Sequence, residues 1–243
     1  MTENLLLIIF YATALTAAAG FVSGLLKMHR YPMIFLVSRT FVCLAGIIYI
    51  IFAAKRLPLF GSFEAMVHII FVMGILTIIF YENHEKPGFL LKMDAAAALL
   101  IAVMLHGRPM ALNANYYMYS NIWVILFFSL RLLAAGFFVH SAILCACSAF
   151  SRKQDDMTWY GARNALLAAT CIYLAGEWAG SLWCLNWFGD SWQWSRGFFR
   201  SSIPFLAAMA ACHISGPAAR TRILKACIGC LPGIFILWMI FFH

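Results

Sequence analysis

Phe60-Gly-Ser-Phe-Glu-Ala-Met-Val-His-Ile-Ile-Phe-Val-Met-Gly-Ile-Leu-Thr-Ile-Ile-Phe-Tyr81 contains one carboxylate, Glu64, one imidazole, His68, and no Lys or Arg. A helix of about 20 such residues is long enough to cross a hydrocarbon core about 30 Å thick. Comparable runs lie on both sides of it, giving expected spans at roughly 5–26, 32–53, 60–81, 88–105, 121–149, 160–182, 199–216 and 223–242. The chain of 243 residues is 64% hydrophobic and 11% charged, with a mean hydropathy of +0.88. Those values lie far outside the range of soluble domains. The expected fold is therefore an all-α integral membrane protein, a polytopic bundle of about eight transmembrane helices. The connectors are short, and no Gly/Ser linker or acidic tail divides the chain, so residues 1–243 read as a single domain.

Met1-Thr-Glu-Asn4 carries no basic residue, and the first apolar run is long enough to span, so the first segment is expected to stay as a helix. Lys and Arg are biased towards alternate connectors. Lys27, Arg30, Lys86, Lys92, Arg152, Lys153, Arg163, Arg220, Arg222 and Lys225 form one set; Lys55, Arg56, Arg108, Arg196 and Arg200 form the other. The larger set belongs in the cytoplasm. That orientation, in an inner (cytoplasmic) membrane, puts both termini and the connector between the sixth and seventh spans outside. The net charge of +8 is thus largely topological and requires no nucleic acid.

The eight cysteines fall almost entirely within spans and outline no extracellular disulfide framework. Cys227-Ile-Gly-Cys230 has CxxC spacing but no second pair or histidine nearby, which favours packing over redox or metal chemistry. Ionisable residues inside spans are costly and face the bundle interior or a cavity; here they are Arg39, Glu64, His68, Asp94, Arg131, His140, Glu177 and His213. Mutual pairing is the simplest expectation for several of them. No H-E-x-x-H, G-x-S-x-G or G-x-x-x-x-G-K stretch is present, so zinc hydrolysis, serine chemistry and phosphate-loop chemistry find no support.

Five of the eight tryptophans lie between Trp178 and Trp194. Indole rings at a membrane boundary can anchor a helix or form a platform for a flat aromatic ligand. The expected Trp-rich outer loop covers 183–198, between the sixth and seventh helices.

Phe188-Gly189-Asp190-Ser191-Trp192-Gln193-Trp194-Ser195 resembles the W-G-x-x-W-x-W-D signature of the haem-handling CcsA/CcmC family, matching at Gly189, Trp192 and Trp194. Family members carry a histidine 18 residues beyond the Asp position, and counting 18 from Ser195 reaches His213. A second register, Trp183 to Asp190, also matches at three positions, Trp183, Trp187 and Asp190, but places Ala208 at the histidine position. Pro58-Leu-Phe-Gly-Ser-Phe63-Glu64-Ala resembles the family's P-L-S-N-x-Y-E-S stretch, and Ser120 to Leu130 resembles its W-L-x-x-H-V-S-L segment. The resemblance covers about 50–235. The family's external ligand histidine, however, falls on Phe127. Its second external histidine lies in a loop with no counterpart here unless His243 substitutes, and P-K-E-T-W is replaced by Arg196-Gly-Phe-Phe-Arg200.

The resemblance implies a haem-handling protein of cytochrome c biogenesis that presents non-covalent, b-type haem at the outer face, with a ResB/CcsB-like partner and apocytochrome c. Trp187, Gly189, Trp192 and Trp194 would form the platform. Arg196 and Arg200 would pair with propionates, and His213 would supply an internal axial ligand. Synthetase activity is left open by Phe127. Two alternatives remain: a non-catalytic anchor or scaffold subunit of a respiratory membrane complex derived from this fold, and a small-molecule transporter.

Overall fold

The protein is described by a computed structural model covering residues 2–28, 30–82, 87–106, 120–150, 156–191, 196–214 and 222–242. Among these residues the chain forms eight helices and no strand: α1 (Thr2–Leu25), α2 (Tyr31–Ala54), α3 (Ser62–Phe80), α4 (Pro87–Leu105), α5 (Ile122–Phe150), α6 (Asp156–Phe188), α7 (Arg196–Cys212) and α8 (Arg222–Phe241). Seven of them, all but α7, are long and apolar enough to cross a membrane. Runs rich in Ile, Val and Phe have no strong intrinsic helix propensity. A bilayer offers no water to backbone N–H and C=O groups, and only a helix satisfies all of them within one segment.

Local signals set the ends. Pro32 occupies the first turn of α2, where its missing N–H costs nothing. Lys55 stops α2 in the left-handed conformation at φ 51°. Gly61, with extended backbone, precedes α3, and its carbonyl accepts the Ala65 N–H at 2.8 Å.

Two departures from the expected spans matter for function. α6 does not stop near residue 182: it continues to Phe188, a 33-residue helix about 50 Å long at 1.5 Å per residue. Much of the expected loop over 183–198 is therefore helix, and Trp178, Trp183 and Trp187 all lie on α6. Conversely, α7 has only 17 residues, about 25 Å, with Pro204 inside it. It is the shortest of the eight helices and is not long and apolar enough to count as a span.

α5 and α6 form a long antiparallel hairpin, with α3, α4 and α8 packed on α5, α1 paired with α2 and α4, and α7 lying against α8 and α6. With lipid as apolar as the side chains, tight van der Waals approach rather than water exclusion holds such helices together. Gly136 on α5 is one such approach: a Cβ there would lie 2.6 Å from Val72 Cβ on α3. Gly136→Leu is expected to push these helices apart and to cost about 1–3 kcal/mol, read as a lowered thermal-unfolding midpoint in detergent; an unchanged midpoint would contradict the packing.

Candidate functional site

The tryptophan-bearing end of the bundle is built by the last turns of α6, the first turns of α5 and α3, and the end of α8. Trp178 lies edge-on to Trp123 of α5 with ring centroids 6.1 Å apart, and Trp183 lies 6.0 Å from Phe127. At 100° per residue, Trp178 and Trp183 point about 140° apart around α6, so their rings flank α5 from two sides. Trp183 and Trp187, four residues apart, share one face. Trp178, Trp187 and Phe188 are all more than half exposed, a combination that suits indole rings at a bilayer boundary.

Gly189 ends α6 at φ +75°, with its N–H donated to the Leu185 carbonyl at 3.0 Å. This is a left-handed helix stop, the backbone state that glycine adopts without steric cost. The glycine of the Trp-rich motif is thus what turns the chain out of α6. Trp192 and Trp194 lie outside the described residues, as do the side chain of Arg196 and all of His243. Arg200 is half-buried in the second turn of α7.

Phe127 is a packing residue. The Arg131 guanidinium stacks 4.0 Å from its ring centroid, Phe128 meets it edge-on at 4.9 Å, and Gly180 of α6 leaves room for it, since a Cβ at that position would come within 2.7 Å of the ring. Arg131 in turn pairs with Glu177. A cavity of about 210 Å³ lies beside this cluster, lined by Leu59, Phe60, Ala65, Phe128, Arg131 and Met239 among others. Sites that enclose drug-sized ligands run from about 300 to 1,000 Å³, so a porphyrin does not fit inside this one. A flat ligand at this end would lie on the indole surface.

His213 is exposed, one residue past the end of α7, and its Nδ1 donates to the Met209 carbonyl at 2.7 Å. A carbonyl only accepts, so Nδ1 carries the proton and Nε2 of the neutral ring keeps a lone pair. That chemistry suits an axial ligand; the position does not suit the same porphyrin as the tryptophans. Arg196 and His213 stand at opposite ends of α7, about 25 Å apart. Among the described residues, no group of three or more His, Cys, Asp or Glu side chains is gathered to hold a metal ion.

The remaining in-span ionisable groups pair with one another. Arg39 of α2 pairs with Asp94 of α4, both 1% exposed. Thr77 of α3 donates to Asp94 at 2.9 Å and lies 3.3 Å from His140 Nδ1 on α5. Its single hydroxyl proton is used on Asp94, so His140 Nδ1 must be the donor to Thr77. Arg56 clasps Glu64 through two bonds, Nη2 to Oε1 at 2.6 Å and Nη1 to Oε2 at 2.9 Å; Glu64 also accepts the Phe60 N–H at 3.0 Å. His68 Nδ1 lies 3.1 Å from the Glu64 carbonyl. Sequence reasoning placed Arg56 in a connector and overlooked Thr77. The eight-residue step from Arg56 to Glu64 spans a turn of unknown path, and a threonine in an apolar run resembles any other small residue.

All eight cysteines are free thiols, and Cys230 donates to the Ala142 carbonyl at 3.3 Å, a packing role. Comparison of the chain with known protein families, with curated proteins and with solved structures finds no match in any of the three.

Proposed function

We propose that this multi-pass membrane protein handles haem for cytochrome c assembly, holding it non-covalently on the indole surface at the end of α6 and the connector that follows. The observation that carries the reading is the junction at Gly189. The stretch with the family's tryptophan spacing begins where α6 stops, next to exposed Trp187 and Phe188. Trp187, Trp192 and Trp194 would stack on the porphyrin, and Arg196 and Arg200 would meet its propionates. When bound, the iron centre supplies ligand exchange and redox chemistry; the chain's residues stack, orient and neutralise charge. The charge count along the sequence favours an outward-facing platform, where a ResB/CcsB-like partner and apocytochrome c would meet it. His213 is not assigned to this haem, because α7 separates the two.

The test is the absorption spectrum of the purified protein after haem loading. A Soret band is expected in the wild type. It should be lost in Trp192→Ala/Trp194→Ala and kept in His213→Ala. A wild type without the band, or a band indifferent to the tryptophans, rejects the platform; a band lost with His213 rejects the assignment of that residue.

A second reading, a non-catalytic subunit that docks an electron-transfer assembly through its aromatic end, is favoured by Phe127. The position where the family's ligand would stand is filled by a ring packed between Arg131 and Trp183. Exposed aromatic side chains with arginine nearby are also what protein interfaces favour. Stable co-purification with other membrane subunits, without haem, would select it.

A further inference from the structure

At the end of the bundle opposite the tryptophans, a cavity of about 590 Å³ opens between the α1–α2 turn, the start of α4 and the end of α5. Lys27 and Lys92 stand in its wall beside the rings of Tyr81, Phe89 and Phe150, and among the described residues no acidic side chain lines it. The ion pairs among the described residues are Arg39–Asp94, Arg56–Glu64 and Arg131–Glu177, so neither ammonium is paired with a carboxylate among those residues. Lys92 Nζ instead lies 5.6 Å from the centroid of the Phe89 ring. Two cations beside aromatic walls attract a ligand that is anionic at one end and apolar at the other.

The backbone places both lysines. α1 closes with Met28 N–H donated to the Ser23 carbonyl at 3.0 Å and Lys27 N–H to the Gly24 carbonyl at 3.3 Å, the two bonds of a Schellman stop. The left-handed residue of that stop is ordinarily glycine. Here it is Lys27, at φ 57°, a conformation that costs a residue with a Cβ about 1 kcal/mol. Gly24 leaves the surface of α1 open for the Lys92 stem, since a Cβ at Gly24 would collide with Lys92 Cγ. One lysine is thus held at a strained turn, and the stem of the other lies across the bare backbone of Gly24.

We infer that this cavity binds the headgroup of an anionic phospholipid drawn from the surrounding leaflet, with the phosphate between Lys27 and Lys92 and the glycerol and upper acyl carbons against Phe89 and Phe150. The cavity sits at the ends of apolar helices, where the headgroups of a bilayer spanned by them would lie, and on the side that carries most of the chain's Lys and Arg. Basic pockets between transmembrane helices recognise anionic headgroups in this way. The inference is independent of the haem reading.

The experiment is native mass spectrometry of the full chain released from detergent micelles and titrated with dioleoylphosphatidylglycerol or dioleoylphosphatidylcholine. Phosphatidylglycerol is expected to be retained in preference. Lys27→Gln/Lys92→Gln should weaken it about 25-fold, at about a factor of five for each lysine. Gly24→Val should weaken it through the displaced Lys92 stem, whereas Lys55→Gln, at the other end of the bundle, should not. Lys27→Arg/Lys92→Arg, which keeps the charge, should retain the preference and serves if the glutamine variant does not fold. Equal retention of the two lipids, or no loss in the glutamine variant with none in Gly24→Val, overturns the inference. So does full displacement of phosphatidylglycerol by an equal concentration of inorganic phosphate, which would mark a site for free anions.

Discussion

Asp94→Ala is expected to destabilise the protein by about 3–5 kcal/mol, the usual cost of stranding one member of a buried ion pair. Arg39 is 1% exposed, lies within a membrane-spanning helix, and has its Nε without a hydrogen-bond partner among the described residues; the Asp94 carboxylate is the charge that balances it. Removing that carboxylate also frees Thr77, whose hydroxyl it accepts at 2.9 Å, and so loosens the link to His140. Four helices, α2, α4, α3 and α5, meet at this point. The measurement is the unfolding midpoint in mixed detergent micelles, with recovery of folded protein on size exclusion as a second readout. Arg39→Met combined with Asp94→Leu should restore most of the loss, because an apolar pair of similar volume avoids the desolvation penalty altogether. A single variant as stable as the wild type would mean that the pair contributes nothing.

Glu64→Ala should have an effect of similar size, about 3–5 kcal/mol, with a different pattern of rescue. Its carboxylate accepts two bonds from buried Arg56 and a third from the Phe60 backbone N–H. Pairing Arg56→Met with Glu64→Leu removes both charges but leaves that N–H without its acceptor, at a cost of about 1–3 kcal/mol. Rescue should therefore be partial here and more complete at Arg39–Asp94, where the donor left behind, the Thr77 hydroxyl, can rotate to a carbonyl of its own helix. The same variant should disturb Phe60, which packs edge-on against Phe128 at 4.5 Å beside the small cavity. Complete rescue by the double substitution would show that the N–H finds another acceptor. The clasp makes Glu64 the pin of the α2–α3 turn.

Much of the architecture was legible because hydropathy is a sum of local terms. Each of the eight apolar runs became a helix, and boundaries such as 32–53 against Tyr31–Ala54 and 88–105 against Pro87–Leu105 moved by a residue or two. The exceptions have local causes. α6 runs on to Phe188 because the polar and aromatic residues after 182 include no breaker before Gly189, and tryptophan is tolerated in a helix that leaves the hydrocarbon core. The site was legible only in part. Spacing linked Ser195 to His213 along the chain, but α7 carries that distance from one end of the bundle to the other. Phe127 read as one more apolar residue of its span, not as the ring that Arg131 and Trp183 pack against.

The sequence by itself determined that this chain is a bundle of membrane-crossing helices, because about 20 apolar residues in lipid have no other way to satisfy their backbone. It also determined which side chains would need partners there. Tertiary structure alone decided who the partners are. Arg39 meets Asp94 across 55 residues and Arg131 meets Glu177 across 46, and Lys27 and Lys92 come to share one cavity. The physical reason is rotation and register: a helix apolar on nearly every face reads almost the same whichever way it is turned. Close approaches such as Gly136 to Val72 and Gly180 to Phe127 set the turn, and with it every pair and cavity described above.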